Sequence, residues 1–587
     1  MTPSRAAPRF GFTAFVMAVV LVLCVPTPGV AGPGFEDAQP GHPGLVRCLL
    51  TNPGLAPGAW LSLCQGGVSA PRATRPSTPG SDLPACTAVA GVNDRCPAWV
   101  ASYDDPDGHA GGGWDLAVAE ALSPSGDRLY VAGYSKDDAT GYDMLTLAYD
   151  TSTGQQVWMA RADSGADDFA NALVVSPDGA RVYVGGAEDV SPGGGDSALV
   201  AYDAATGGEL WTATHDGPAG QQDAITALAV SPSGDRVYAT GVQDEKPGAC
   251  FNTAGCDIET IGYDAATGEE RWGATVDGDG EPGNDADSAA AIAVSPDGNT
   301  VYVGGTIDTT APRHEDFVAL AYSARDEQHE GDLQWQATYN GSVAGYFDYD
   351  YGTAMALSPD GGTLYLTGGS DPGTPPIFGS LEPQDDATVA FDTRSGEQRW
   401  AARYRGAFNG WNLPYAIAAA PTGDLFVTGV ATGPGTLEGT VNNWDVGTVA
   451  YGASGVQLWS DTYGWPGNLF DYGTGLAISP DGRALHVSGV SGTGELLYIG
   501  TTVAGTFSPP AAAATIITYD TTTGARSWVG RYGAPDDDDF AFDIALSLDG
   551  RRAFVTGAAG PFNAGVQTGS DPTNHADVLT LAYDTSP

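Results

Sequence analysis

Short apolar runs alternate with turn signals along most of this chain, and the same order of runs recurs eight times. The turn is spelled "SPSG", "SPDG", "APTG" or "SLDG" and starts at residues 123, 176, 231, 295, 358, 420, 479 and 547. An Ala-rich run such as "AAAIAV" (289–294) precedes the turn, and a run such as "VYVGG" (301–305) follows it. Proline presets the first turn position and glycine tolerates the backbone that a tight turn requires, so each unit predicts a β-hairpin.

Two further runs complete each unit. "DMLTLAYD" (143–150) leads through a second turn, "TSTG", into "QQVWMAR" (155–161), which carries a tryptophan. The tryptophans at matching positions are Trp99, Trp158, Trp211, Trp272, Trp335, Trp400, Trp459 and Trp528. Four short strands in a unit of roughly 60 residues, with no sustained helical periodicity, predict an all-β fold, an eight-bladed β-propeller of four-stranded blades over residues 96–587.

The two ends of the repeat predict how the ring closes. The last unit stops after its third run, "DVLTLAYDTSP" (577–587), and the first is preceded by an isolated fourth run, "CPAWVASY" (96–103). A ring that left both ends unpaired would expose two sheet edges. We therefore predict that the N-terminal strand closes the last blade.

The second half of the repeat carries a family resemblance. The pattern Ala-x-Asp-x-x-Thr-Gly-x-x-x-Trp is complete at 148–158 and 201–211 and degraded in most other units. It resembles the tryptophan-docking repeat of pyrroloquinoline quinone (PQQ) type eight-bladed propellers. The hairpin half, as in "DDFAFDIALSLDGRRAFVTG" (538–557), is similar to the SBBP-type β-propeller repeat of secreted bacterial proteins. The resemblance implies the fold over 96–587, whereas the family includes dehydrogenases, assembly-factor scaffolds and proteins without known chemistry.

The N-terminal residues 1–31 predict a signal peptide and therefore a secreted protein. Arg5 and Arg9 precede an apolar run over 12–25, and "GVAG" offers a cleavage site after Ala31. The run is shorter than the roughly 18 to 20 residues that span a membrane, so we expect no membrane insertion.

Residues 32–95 form a Pro-, Gly- and Cys-rich segment ahead of the ring. Six of the seven cysteines follow the signal peptide, an even number that suits an oxidising compartment. The simplest pairing is Cys48 with Cys64, Cys86 with Cys96, and Cys250 with Cys256.

The charge of the chain restricts its partners. Twenty-four Lys and Arg side chains stand against 72 Asp and Glu, a formal charge of −48 that falls to −50 when the signal peptide is removed. Such a surface repels phosphate backbones and anionic lipids, which excludes nucleic acid and membrane headgroups as partners. Cations and neutral ligands remain as candidate partners, and we expect a monomer. High charge also serves solubility, so it does not by itself indicate an acidic function.

Two sets of acidic residues recur with the strands. The first ring starts the first strand of each blade and comprises Asp115, Asp168, Asp223, Asp287, Asp350, Asn412, Asp471 and Asp539. The second ring starts the third strand and comprises Asp143, Asp196, Asp257, Asp316, Asp385, Asp445 and Asp577, with Ala513 as the exception. First and third strands begin on the same face, so both rings surround one mouth of the channel. They would either attract cations there or accept hydrogen bonds from turn N–H groups and lock each blade.

A separate acidic loop is the candidate metal site. The segment "DGDGEPGNDAD" (277–287) places Asp277, Asp279, Glu281 and Asp285 on a Gly-bent backbone. Their hard oxygen atoms suit calcium, although the spacing is not that of an EF-hand. A solvated acidic loop is the alternative interpretation.

The candidate ligand site lies where the repeat is interrupted. Long insertions between second and third strands, including "GGSDPGTPPIFGSLEPQDD" and "GVATGPGTLEGTVNNWD", open on the acidic face. An aromatic residue precedes the first ring in four blades, at Trp114, Tyr349, Trp411 and Phe470. The last three, in consecutive blades, give the candidate set Tyr349, Asp350, Trp411, Phe470 and Asp471. Aromatics beside carboxylates at a concave mouth would stack on a sugar or another flat neutral ligand, or else pack beneath the loops.

Three functions follow from these patterns. The first is a secreted binding or scaffold propeller that recognises a glycan, peptide or protein on the acidic face. The second, implied by the resemblance, is a PQQ- and calcium-dependent dehydrogenase. PQQ is not expected, because no ring position is Lys or Arg and the chain lacks an adjacent cysteine pair and a haem-binding Cys-x-x-Cys-His. The third is a cofactor-free hydrolase or lyase, for which no catalytic residue can be singled out.

Overall fold

The computed structural model describes residues 94–104, 114–137, 140–191, 194–218, 220, 222–244, 256–278, 287–309, 314–324, 328–341, 348–371, 384–406, 410, 412–433, 444–465, 470–492, 498–499, 502–503, 512–533, 538–560 and 576–586. The strands form eight four-stranded antiparallel blades in a ring, as the repeat predicts. Among the described residues, no helix is long and apolar enough to cross a membrane.

The first four blades follow one another along the chain. Blade 1 comprises Leu116–Leu122, Arg128–Asp137, Gly141–Asp150 and Gln156–Ala162. Blade 2 comprises Asp167–Val175, Arg181–Ser191, Gly194–Asp203 and Glu209–His215. Blade 3 comprises Ala224–Val230, Arg236–Asp244, Cys256–Asp264 and Glu270–Val276. Blade 4 comprises Ser288–Val294, Thr300–Thr309, His314–Ser323 and Leu333–Tyr339.

The second half of the ring repeats this order until the last blade. Blade 5 comprises Tyr351–Leu357, Thr363–Ser370, Asp385–Asp392 and Gln398–Tyr404. Blade 6 comprises Asn412–Ala419, Leu425–Thr432, Trp444–Tyr451 and Gln457–Tyr463. Blade 7 comprises Phe470–Ile478, Ala484–Gly492, Ala512–Asp520 and Arg526–Tyr532. Blade 8 comprises Asp538–Leu546, Arg552–Gly560, Asp577–Asp584 and, from the N-terminal side, Trp99–Tyr103. Short strands lie at Asp94–Arg95, Asp348–Tyr349, Tyr498–Ile499 and Thr502–Val503.

Blade 8 closes the ring with both ends of the repeat, which confirms the predicted closure. Trp99–Tyr103 pairs antiparallel with the third strand, with Trp99 opposite Ala582 and Tyr103 opposite Val578. Just before it, Asp94–Arg95 adds a parallel strand to the outer edge of blade 7. The N-terminal side of the propeller therefore contacts two blades. The predicted disulfide partners of Cys96 and Cys256 lie outside the described residues.

Blades dock through the tryptophan of the repeat. The ring of Trp158 in blade 1 covers Gly207 in the second turn of blade 2, and its indole N–H donates to the Ala204 carbonyl at 3.0 Å. Gly207 has a φ of +72°, and a Cβ there would lie 2.6 Å from the Trp158 ring. The Thr-Gly step of the motif therefore provides both a left-handed turn and a flat seat for the neighbouring indole.

The last junction replaces that glycine with an arginine. No second turn joins the third and fourth strands of blade 8, and the Arg95 guanidinium lies 4.9 Å from the Trp528 ring centroid. Arg95 also donates to the Asp584 carbonyl at 2.8 Å. A cation over an indole face is an attractive pair, so Arg95 both seats Trp528 and fastens the third strand of blade 8.

Every first strand also carries a β-bulge at the same position. The extra residues are Val118, Asn171, Thr226, Ala290, Thr353, Tyr415, Thr474 and Phe542. At three junctions this side chain donates to a backbone carbonyl of the next blade: Asn171 to Ile225 at 2.9 Å, Thr226 to Ala289 at 2.8 Å and Thr353 to Pro414 at 2.8 Å. The bulges thus join neighbouring first strands around the channel.

His486 interrupts the aromatic packing of blade 7. Other blades have a tyrosine or phenylalanine at this place in the second strand, namely Tyr130, Tyr183, Tyr238, Tyr302, Tyr365, Phe426 and Phe554. The buried His486 ring lies 6.1 Å from the Trp528 ring, and its Nδ1 is 2.8 Å from Thr518 Oγ1. Burial, with a smaller contribution from the Arg95 charge, lowers the pKa of His486 to about 4.

We expect His486→Phe to remove part of the acid sensitivity of the protein. Between its unfolded pKa of 6.5 and its folded pKa of about 4, His486 binds a proton only when the chain unfolds. The free energy of unfolding therefore decreases as the pH falls through that window. The change in the free energy of unfolding caused by the substitution should be about 2–3 kcal/mol more stabilising at pH 4.5 than at pH 7.5. Thermal unfolding at the two pH values measures the difference. An equal effect of the substitution at both would show that His486 titrates normally.

Candidate ligand-binding face

One face of the ring, the loop face, carries the starts of the first and third strands of every blade. The connections between second and third strands leave from it, including those after Asp244, Asp371, Gly433 and Gly492. These long connections lie mostly outside the described residues. The strands that flank these connections are fixed within the blades, so all of the connections start and end on one side of the ring.

The first ring is buried beneath this face. Asp115, Asp168, Asp223, Asp287, Asp350, Asn412, Asp471 and Asp539 are each 0 or 1% exposed. An isolated buried carboxylate is costly unless hydrogen bonds compensate it. The first ring therefore belongs to the interior of the fold, rather than to an open channel mouth.

Backbone N–H groups of the preceding blade hold five of these carboxylates. Each donor follows the fourth strand of one blade, and each acceptor begins the first strand of the next. The pairs are Ser164 with Asp168 at 2.7 Å, Gly217 with Asp223 at 2.7 Å, Gly278 with Asp287 at 2.5 Å, Gly341 with Asp350 at 2.5 Å, and Trp465 with Asp471 at 3.0 Å. This geometry supports the locking interpretation, in which the carboxylates link consecutive blades.

The second ring meets the first at the blade junctions. The Asp223 N–H donates to the Gly195 carbonyl at 2.8 Å, and the Asp350 N–H donates to the Glu315 carbonyl at 2.7 Å. Each acceptor directly precedes a residue of the second ring, Asp196 or Asp316. The two rings predicted from the sequence are therefore one series of junctions rather than two separate circles.

Three consecutive junctions carry a third aspartate as well. The clusters are Asp143 with Asp163 and Asp168, Asp196 with Asp216 and Asp223, and Asp257 with Asp277 and Asp287, with ligand oxygens within 4.8 Å of one another. The added residue stands five positions after the docking tryptophan, where the next four blades have Asn340, Arg405, Gly464 and Gly533. Of the predicted metal ligands, Asp277 is exposed and joins the third cluster, whereas Asp279, Glu281 and Asp285 lie outside the described residues.

Burial and mutual repulsion raise the pKa of carboxyl groups near these three junctions. Burial is the main cause that raises the pKa of Asp143 to about 6. Burial, followed by the charges of Asp168, Asp196 and Asp189, raises the pKa of Glu188 to about 7. A cation bound here would compete with protons near neutral pH.

The calcium hypothesis for the acidic loop leads to a direct measurement. A ligand that binds only the native state raises its stability, so millimolar calcium should raise the melting temperature if the loop binds it. Replacing Asp277 and Asp279 together by Asn should abolish that rise. Asp235→Asn, in an exposed turn between first and second strands, is the matched control and should leave it intact. A melting temperature that ignores both calcium and chelator would identify the loop as solvated surface.

The structure separates the predicted ligand residues into two groups. Asp350 and Asp471 are buried and accept hydrogen bonds within the fold. Tyr349 lies in a short strand parallel to His314–Glu315, Phe470 pairs with Gly492 and Trp444, and Trp411 lies outside the described residues. A role in ligand binding stays a prediction for all five, and it now depends chiefly on the three aromatic residues.

Arginines lie beside two aspartates of the second ring, which the sequence patterns did not predict. Arg161 Nη1 lies 3.0 Å from Asp143 Oδ2, and Asp385 Oδ2 receives both Arg403 Nη1 at 3.3 Å and Arg405 Nε at 2.9 Å. Arg161 and Arg403 occupy the same place on the fourth strand, three residues after the docking tryptophan. The fourth strand pairs with the third strand, where Arg161 stands opposite Leu145 and Arg403 opposite Ala387, each two residues from its aspartate. The ion pairs therefore depend on the register of the folded blade.

The fold defines a class of protein, an eight-bladed β-propeller whose blades dock through a tryptophan on the outer strand. A family model described as outer membrane protein assembly factor BamB matches residues 98–401, more than half of the chain. The chain belongs to this family, which confirms the PQQ-like repeat resemblance.

Solved structures with the same general architecture have low sequence identity. BamB from Moraxella catarrhalis has 12% identity, a TM-score of 0.37 and coverage of 83% of this chain and 97% of that one. Quinohemoprotein alcohol dehydrogenase from Comamonas testosteroni has 14% identity, a TM-score of 0.48 and coverage of 84% and 76%. A europium-containing methanol dehydrogenase has 15% identity, a TM-score of 0.44 and coverage of 83% and 93%. At these scores the similarities identify no activity. No curated protein matches the chain significantly.

Proposed function

We propose that this protein is a secreted scaffold propeller that binds a polypeptide partner through its loop face. The observation that carries the proposal is the use of the ring carboxylates as links between blades. The long connections between second and third strands are then the part of this face that varies from blade to blade in sequence. Membership of a family described by an assembly factor supports a polypeptide partner. The signal-like N-terminus and the even number of cysteines after it support secretion.

The same geometry argues against chemistry at the mouth. A general base must reach the proton that it removes, whereas Asp223, Asp350 and Asp471 are buried and hydrogen-bonded to backbone N–H groups. An anionic quinone such as PQQ also fits poorly. It would compete for Arg161, Arg403 and Arg405, which are already paired with Asp143 and Asp385.

Binding to a displayed random-peptide library tests the proposal directly. We expect a consensus peptide to be selected, and its affinity to fall at least about tenfold when Tyr349, Trp411 and Phe470 are changed to Ala. Val456→Ala with Leu458→Ala is the matched control, because these apolar side chains are 63% and 50% exposed near the outer strand of blade 6. Their replacement should leave the affinity unchanged.

Two parallel measurements distinguish the other functions. Binding on a glycan array, with no selected peptide, would replace the polypeptide by a sugar ligand. Incubation with PQQ and calcium should leave no quinone absorbance after desalting and no reduction of an artificial electron acceptor by alcohols or aldose sugars. Stoichiometric retention of PQQ together with dye reduction would overturn the scaffold proposal in favour of a dehydrogenase.

A further inference from the structure

The wall between neighbouring blades follows a small–large rule around the channel. The residue after each bulge is small in seven blades: Ala119, Ala172, Ala227, Ala291, Ala354, Ala416 and Gly475. The following residue is large and apolar in seven blades: Leu173, Leu228, Ile292, Met355, Ile417, Leu476 and Ile544. Small residues of one blade pack on large residues of the next, as Gly475 does on Ile544. This alternation lets neighbouring first strands pack closely.

The junction between blades 8 and 1 breaks the rule on both sides. Blade 8 has Asp543 where the other blades have Ala or Gly, and blade 1 has Glu120 where the others have Leu, Ile or Met. These are the only charged residues in the eight segments 116–122, 169–175, 224–230, 288–294, 351–357, 413–419, 472–478 and 540–546. Both exceptions lie where the first strand of blade 8 packs against the first strand of blade 1. This junction closes the ring and is called the closing seam below.

The two residues meet across this seam through the backbone of Glu120. The Glu120 backbone N–H donates to Asp543 Oδ2 at 3.0 Å, and the Ile544 N–H donates to Asp543 Oδ1 at 2.8 Å. Glu120 is 8% exposed, and neither of its carboxyl oxygens has a hydrogen-bond partner among the described residues. Asp543 is therefore held by two backbone donors, whereas the buried Glu120 carboxyl completes no hydrogen bond there and only the Ala545 N–H lies near enough to lower its pKa.

Both groups favour the protonated state. Burial raises the pKa of Glu120 well above its ordinary 4.5, and the Asp543 charge raises it further. Burial likewise raises the pKa of Asp543, against the two backbone N–H donors that lower it. Two neighbouring carboxyl groups in a desolvated site resist holding two charges, so a proton on one of them stabilises the pair.

Among the described residues, Asp543 is the charged group that shifts the pKa of Glu120. The remaining titratable groups on the strands packed against the pair are Arg128, Lys136, Arg552, His486, Asp137, Asp167, Asp168, Asp471, Asp520, Asp538, Asp539, Asp577, Asp584, Tyr130, Tyr134, Tyr472, Tyr519 and Tyr583. The arginines stand where their strands begin on the face opposite the loops, and Arg552 there donates to the Thr151 carbonyl.

We propose that Glu120 and Asp543 form a proton-operated latch, which holds the closing seam tight while the pair carries a proton and loosens it when both carboxyl groups are charged. The sign follows from linkage. A carboxyl whose folded pKa is raised contributes stability below its unfolded value of 4.5 and loses it as the pH rises through the folded pKa. The pair thus stabilises the closing seam most at low pH, whereas His486 lowers the stability of the protein as the pH falls.

Hydrogen exchange at the closing strand tests the latch. At pH 8, the amides of Trp99–Tyr103 should exchange about tenfold more slowly in Glu120→Gln than in the wild type, because the variant removes one charge. At pH 5 the two proteins should exchange alike. Comparison at equal pH cancels the chemical exchange rate. The third strand of blade 2, Gly194–Asp203, is the internal control and should not differ.

A second variant keeps the test decisive if Glu120→Gln does not fold. Glu120→Leu with Asp543→Ala restores the small–large pair of the other seven junctions, and it should show the same protection at pH 8. Equal exchange of wild type and variants at both pH values would overturn the latch. Protection of the wild-type strand by calcium at pH 8, lost in Glu120→Gln, would also overturn it and identify a metal site instead.

Discussion

A protein that lacks the N-terminal segment through Tyr103 should fail to form a stable propeller, whereas one that lacks only residues 32–90 should fold. The first deletion removes the fourth strand of blade 8 and leaves the edge of Asp577–Asp584 without its partner. It also removes Trp99, whose ring covers Gly154 of blade 1 and whose indole N–H donates to the Thr151 carbonyl at 3.1 Å. Loss of a docked tryptophan alone costs about 3–5 kcal/mol, and an exposed sheet edge promotes aggregation.

Thermal unfolding and size-exclusion chromatography of the two truncations distinguish these outcomes. The shorter deletion keeps Asp94–Arg95, so the contact of Arg95 with Trp528 is preserved as well. Equal melting behaviour of the two truncations would show that the ring holds without its N-terminal strand.

Replacing Gly207 by alanine should destabilise the fold by about 2–4 kcal/mol. A left-handed backbone costs an alanine roughly 1–2 kcal/mol, and the new methyl group would overlap the Trp158 ring, which cannot retreat because its N–H is bonded to Ala204. Gly208 is the neighbouring control. A Cβ there would meet only Thr206 Oγ1 at 3.4 Å. Chemical denaturation of both variants provides the test, and a Gly208→Ala effect as large as that of Gly207→Ala would contradict the docking explanation.

The periodic part of the fold was predictable because the repeat states it eight times. Turn signals, apolar runs and the tryptophan each mark one strand, and the missing and spare strands at 577–587 and 96–103 indicate the closure. The backbone conformation at Gly207 also follows from its turn. The repeat does not show which residues of neighbouring blades contact each other, because these contacts depend on how the folded blades are aligned.

The candidate site was predictable only in its outline. The repeat positions of the first ring place Asp223 and Asp350 correctly at the start of first strands, but their burial depends on backbone donors from the preceding blade. The pairing of Arg161 with Asp143 joins two strands of one blade. Comparison of the eight first strands would have revealed Glu120 and Asp543, because each is charged where every other blade is apolar.

The closure of blade 8 has a consequence for how the protein is made. Trp99 and Ala582 pair directly, so the strand that emerges early from the ribosome must wait for one that emerges almost 480 residues later. At typical synthesis rates of about 5–20 residues per second, this interval is roughly half a minute to a minute and a half. All strands of blades 1 to 7 emerge before then, so these blades can assemble one after another into an open arc. The nascent chain must therefore keep its first edge from pairing with another molecule until Asp577–Asp584 arrives.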